Sequence, residues 1–154
     1  MTNTLNDDMN PQTSKLIIGN IECCDLPELG ITALEARVDT GAKTSSLHVD
    51  NLEKFDKNGV PWLRFDIHPD IYHIETVVTC EAKLHDVRRI KSSNGVSQQR
   101  YTIQTDFALG GEAWPIEITL SDRAEMSYLM LLGREGMGDR VLVDPSKSFL
   151  VKST

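Results

Sequence analysis

Alternation of apolar and polar residues governs this chain from Lys15 onward and confines it to β-structure. Leu34, Ala36 and Val38 alternate with Glu35 and Arg37, the period of a strand buried on one face. Residues 15–21 form another β-type run, and Leu47, Val49 and Leu52 continue the pattern further on. Asn58-Gly59 is a hairpin signal between Phe55 and the run 62–67. A second hairpin sets residues 76–90 against 98–109 around the polar stretch 91–97. Gly110-Gly111 then turns the chain into 113–120, with Ile116, Ile118 and Leu120 on one face. Residues 141–144 and 148–151 read as terminal strands around a Pro145-Ser146-Lys147 turn. Long 3.6-residue periodicity is missing, and only the stretch 134–139 suits a short helix. The fold class is therefore all-β with one short C-terminal helix. Residues 1–14 are polar, carry Pro11 and read as a disordered N-terminal arm, leaving 15–154 as a single domain.

Charge and cysteine usage narrow the function. A net charge of −7 argues against general affinity for nucleic acid or an anionic membrane. No apolar run approaches the roughly 18 residues of a membrane span, and the N-terminus lacks signal-peptide character. Cys23, Cys24 and Cys80 are odd in number, and the adjacent pair suits a disulfide poorly. A reduced, cytoplasmic protein is expected.

The alternating run 31–38 ends on Asp39-Thr40-Gly41-Ala42, and far downstream stands Leu131-Leu132-Gly133-Arg134. Hydrolysis of a peptide bond without metal or covalent nucleophile needs an activated water. Two close carboxylates supply it, because they cannot both ionise easily and so share one proton. Gly41 permits an unusual backbone angle and close chain approach, and Thr40 offers a hydroxyl that can brace an opposite chain. Asp-Thr-Gly occurs once, so the paired carboxylate must come from a second copy of the chain. The competing reading of the tripeptide is a common surface turn.

Residues 36–48, together with Arg88-Arg89-Ile90-Lys91-Ser92, Asn94-Gly95, Arg100-Tyr101, Leu120-Ser121-Asp122-Arg123, Leu131-Leu132-Gly133-Arg134-Glu135 and the stretch 143–148, resemble the bacterial retropepsin-like family labelled "ATP-dependent zinc protease". The resemblance spans about residues 15–151. It implies a six-stranded-type acid-protease barrel, a homodimer, and a catalytic Asp39 from each subunit with Thr40 and Gly41 beside it. Gly133 and Arg134 are then structural neighbours of the site. It also implies a link with ATP-grasp ligases that add glutamates to proteins, and hence a peptide or protein substrate that is glutamate-rich or glutamate-modified. The interval from Asp39 to Gly133 exceeds that of a minimal viral protomer and places an insertion around residues 54–82. The hairpin at 91–100, tipped by Asn94-Gly95, stands where a flap would be. Ala42, Arg88, Arg89, Lys91, Asn94, Gly95 and Arg100 are the substrate-binding candidates. The basic members suit an anionic substrate, or else pair with Glu81, Asp86 or Asp106 as solvated strand charges. Residues 148–151 are the candidate strand for a dimer sheet.

Zinc and ATP find no support in the residues. His48, His68, His73 and His85 form no His-Glu-x-x-His pattern, Cys-x-x-Cys is missing, and no phosphate-binding Gly-x-x-x-x-Gly-Lys-Ser/Thr loop occurs. No metal and no cofactor are expected. Three functions compete: a homodimeric aspartic endopeptidase, a non-catalytic peptide-binding module of the same fold, and a metallopeptidase as the family label reads. Asp39→Asn separates the first two, because it should remove cleavage and leave binding.

Overall fold

The computed structural model describes residues 15–70, 72–73, 75–91, 95–122 and 128–151. The expected N-terminal arm, the hairpin-tip residue Asn94 and the loop residue Arg123 lie outside the described residues. Among the described residues twelve strands appear in chain order: β1 (Leu16–Ile18), β2 (Ile21–Leu26), β3 (Ile31–Asp39), β4 (Ser45–His48), β5 (Asp50–Lys57), β6 (Val60–Ile67), β7 (Val78–Lys83), β8 (Asp86–Lys91), β9 (Ser97–Leu109), β10 (Glu112–Ser121), β11 (Met130–Gly133) and β12 (Val141–Val143). Among the described residues one short α-helix, α1 (Arg134–Met137), follows β11. Among the described residues no helix is long and apolar enough to cross a membrane.

Seven strands form one mixed sheet in the order β10-β4-β11-β3-β2-β9-β8, and pairing of β9 with β10 closes it into a barrel with β8 outside the ring. Alternation builds the wall. Along β3, Leu34 and Ala36 point inward and are buried, whereas Glu35 and Arg37 are exposed. Leu47, Ile103, Phe107, Ile118, Leu120, Met130 and Leu132 fill the interior. Phe107 meets Trp114 edge-on with ring centroids 5.3 Å apart. The all-β expectation with a short helix near the C-terminus is what the chain forms.

The insertion is a separate three-stranded sheet, β5-β6-β7. It spans the expected 54–82 and extends slightly past both ends. Asn58 and Gly59 both adopt positive φ (55° and 81°), as a two-residue hairpin with the right strand twist requires. Leu63, Phe65 and Ile67 line its buried face. Residues 76–90 depart from expectation. They do not form one hairpin arm but split at Leu84-His85 into β7, which pairs with β6, and β8, which pairs with β9. The chain changes partner there: the Leu84 amide donates to the Pro61 carbonyl and the His85 amide to the Thr102 carbonyl.

The expected strand at 148–151 is also absent. Its backbone donors go to a side chain instead. Glu22 faces inward beside Cys24 and Leu26 and is only 2% exposed. Its carboxylate accepts the amides of Gly19 (2.7 Å), Leu150 (2.9 Å) and Val151 (3.2 Å). The Phe149 amide donates to the Ile21 carbonyl. In the single chain the Phe149, Leu150 and Val151 amides are thus taken up by Ile21 and Glu22. Charged acceptors of this kind contribute about 1.5–3 kcal/mol. Glu22→Gln puts an NH2 group against backbone N–H donors, and we expect it to lower stability in urea unfolding by about 3 kcal/mol. A change within ±0.5 kcal/mol would show the clasp to be energetically idle.

Candidate active site

The site is built where β3 ends. Asp39 is half-buried there, and Thr40 and Gly41 are exposed. The Gly41 amide donates to Asp39 Oδ1 (2.9 Å) and the Ala42 amide to the Asp39 carbonyl (3.2 Å), folding the tripeptide into a tight turn that presents the carboxylate. Strand β11 lies between β3 and β4. It runs parallel to β3, with Gly133 opposite Asp39, and antiparallel to β4, with Met130 opposite Leu47.

Gly133 is required by space. A Cβ there would lie 2.6 Å from the Thr44 carbonyl carbon and 2.7 Å from its oxygen. The close approach lets the Arg134 amide donate to the Ala42 carbonyl (2.8 Å) and the Glu135 amide to the Lys43 carbonyl (3.1 Å). The Arg134 guanidinium adds bonds to the carbonyls of Gly41 (3.2 Å) and Thr40 (3.4 Å). Asp39, Thr40, Gly41, Ala42, Gly133 and Arg134 therefore form one bonded unit. Asp39 has no cation within salt-bridge distance among the described residues.

The sequence profile described as "Retropepsin-like aspartic endopeptidase RimB" (RimB-like) matches residues 17–154. The chain belongs to the RimB-like family. It is 50% identical over 136 residues to a "Probable alpha-L-glutamate ligase" of Shewanella pealeana, covering 88% of this chain and 30% of that protein. Proteins of the same description from Shewanella halifaxensis and Desulfotalea psychrophila are 49% and 47% identical, again over 30% of their lengths. The chain thus spans under a third of the curated relatives it matches. A crystal structure of a Legionella pneumophila protein of unknown function (DUF785) superposes with a TM-score of 0.75 at 30% identity, covering 90% of this chain and 100% of that one.

The basic candidates of this RimB-like chain lie on other elements than the Asp39 turn. Arg88, Arg89 and Arg100 sit on the β8–β9 hairpin, with Arg88 opposite Arg100. Arg88 is engaged by Asp86 (3.1 Å) and by Glu117. That pairing holds the Asp86 carboxyl below its usual range. Of the three acids considered as partners, Asp86 pairs with Arg88, whereas Glu81 pairs with Arg64 (3.0 Å). Lys91 ends β8 opposite Ser97, and Gly95 has a φ of 87°. A cleft of about 140 Å³ is lined by Arg88, Gln104 and Glu117 together with Thr44 and Glu135.

The described residues bring together no set of side chains that fits a metal. His48 Nε2 and His68 Nε2 both turn toward Asp50, at 3.8 and 3.1 Å. His73 pairs with Asp70 and His85 lies by Glu117. No group of His, Cys, Asp and Glu among the described residues converges as a ligand set. The cysteines are free thiols; burial pushes Cys80 up to about 11 and raises Cys24 as well.

Two supporting residues escaped sequence reasoning. Ser45 is buried at an inward-facing position of β4, and its hydroxyl accepts the Gly133 amide (3.0 Å). Trp114 donates from Nε1 to the Gly136 carbonyl (2.8 Å) and fixes α1. Ser45 shares parity with the buried Leu47 and Val49, so a hydroxyl among inward-facing residues was its readable sign.

Proposed function

We propose that the chain is a homodimeric aspartic endopeptidase acting on peptide or protein substrates in the cytoplasm, with glutamate-modified protein as the target. The observation that carries this reading is the Asp39 turn, braced by Gly133 and Arg134 and offering one such carboxylate per chain. Two turns meeting across a two-fold axis bring two carboxylates together. One, ionised, takes a proton from water as the water attacks the scissile carbonyl; the other, protonated, donates to the carbonyl oxygen. The name of the curated relatives supports a substrate bearing added glutamates. The free thiols support a reducing compartment.

Mixing subunits tests the shared site. Wild-type chain refolded or exchanged with an equal amount of Asp39→Asn chain should retain about half of the activity it shows alone, because random pairing leaves about a quarter of the doubled number of dimers with two aspartates. Full retention would mean that each subunit works alone. Sedimentation of the wild type as a strict monomer during turnover would also end the reading.

A peptide-binding module remains the second reading, favoured by β8. That strand has β9 on one side only among the described residues, leaving an edge for strand addition. Binding of the peptide with no cleavage by the wild type would favour it.

A further inference from the structure

A groove of about 660 Å³ runs beside β3, lined among others by Ile21, Glu35, Tyr72, Tyr128, Leu129 and Phe149. Its walls are largely aromatic and aliphatic, with Glu35 and Asp70 among them. Strand alternation places Glu35, Arg37 and Asp39 on one outward face. Side chains two residues apart on a strand stand about 7 Å from each other. Arg37 is therefore one step from Asp39 along the strand. Ile21, a groove residue, is its cross-strand partner on β2. Its guanidinium carbon lies over the ring of Tyr128, another groove residue, at 5.8 Å from the centroid.

Arg37 is exposed, and among the described residues no carboxylate lies within salt-bridge distance of it. This differs from Arg64 and Arg88, each of which already holds carboxylates. The Tyr128 ring holds the guanidinium plane without using its fork of N–H donors. That fork matches a carboxylate with two parallel bonds. Two acids share the groove. Asp70 is bonded to His73 Nδ1 (2.7 Å) and to the Tyr72 amide (2.9 Å). Glu35 lies one alternation farther from Asp39 than Arg37, so it disfavours acids at that more distant position and not beside the scissile bond.

Resting on the endopeptidase reading, we propose that Arg37, steadied by Tyr128, is a specificity-determining residue that selects a carboxylate side chain next to the bond to be cut. The expected substrate is an acidic peptide whose glutamate or aspartate flanks the scissile bond.

The test reads specificity and binding separately. A proteome-derived peptide mixture is digested with wild type, Arg37→Ala, Arg37→Lys and Arg37→Glu, and cleavage sites are identified by mass spectrometry. In parallel, a fluorescein-labelled peptide ending in a glutamate tail and its glutamine-tailed counterpart are titrated against each protein by polarisation. We expect wild type to prefer acidic flanks. Arg37→Ala should lower that preference about tenfold, Arg37→Lys should restore part of it, and Arg37→Glu should turn it toward lysine or arginine. The glutamate-over-glutamine binding ratio should fall in step and shrink at high salt. An acidic preference that survives in Arg37→Ala, or its absence from wild type in both assays, overturns the proposal. Wild type that cleaves nothing yet binds the glutamate tail through Arg37 ends the endopeptidase reading while upholding Arg37. Wild type that neither cleaves nor binds overturns both.

Discussion

Asp39→Asn should abolish turnover while leaving the domain folded. The carboxamide keeps an oxygen to accept the Gly41 amide that now bonds Asp39 Oδ1, so the turn retains its shape. What it loses is the ability to exchange a proton with water. General acid–base groups contribute about 10²–10⁴-fold each. In a symmetric dimer the substitution removes both partners at once, so kcat/KM should fall by at least roughly 10³-fold. The thermal midpoint should move little, because the side chain is half-buried and unpaired by cations among the described residues. Peptide affinity measured by polarisation should persist. Residual cleavage above about a tenth of wild type would remove Asp39 from the chemistry.

Gly133→Ala should be the most damaging single methyl group that can be added near the site. The new Cβ would sit 2.6 and 2.7 Å from the Thr44 carbonyl group and 3.0 Å from the Ala42 carbonyl oxygen. These are backbone atoms and cannot swing aside as a side chain would. Relief requires moving β11 away from the turn, which loosens the bonds from Arg134 and Glu135 to Ala42 and Lys43. Overpacking of this kind costs about 1–3 kcal/mol, with further loss from the broken bonds. We expect about 3 kcal/mol in chemical denaturation and a melting point lower by roughly 6–12 °C. Activity should fall even where the variant remains folded, because the Asp39 turn loses its brace. A variant as stable as wild type would mean that Gly133 has slack the distances do not suggest.

Much of this was legible because several local signals agreed. The alternation at Leu34, Ala36 and Val38, the Asp-Thr-Gly that follows it, and the distant Gly133-Arg134 were each readable. The structure brings them into one bonded unit. The Asn58-Gly59 turn was legible for the same reason: two residues that tolerate positive φ stood between two β-type runs. What stayed hidden was partner choice. Nothing local told that 76–90 would divide between two sheets at Leu84-His85, since both halves are strand-forming alone. Nor did Glu22 advertise its burial. An acid in an alternating run reads as a solvent-facing residue, and only the amides of Leu150 and Val151, far away in sequence, make its inward position tolerable. The same contact turned an expected strand into a clasped tail. The groove beside β3 was illegible because Ile21, Glu35, Pro69, Asp70, Tyr72 and Tyr128 come together only in the folded chain.

The seat of β11 between β3 and β4 has a consequence for biosynthesis. The two outer strands are joined through the Asp39 turn early in the chain, and the wedge that separates them arrives only after residue 130. Contacts so distant in sequence form slowly and late. A ribosome-bound or truncated chain lacking that wedge carries the acid but not the frame that aims it. Until the wedge is in place, the Asp39 turn goes without its Gly133 and Arg134 brace.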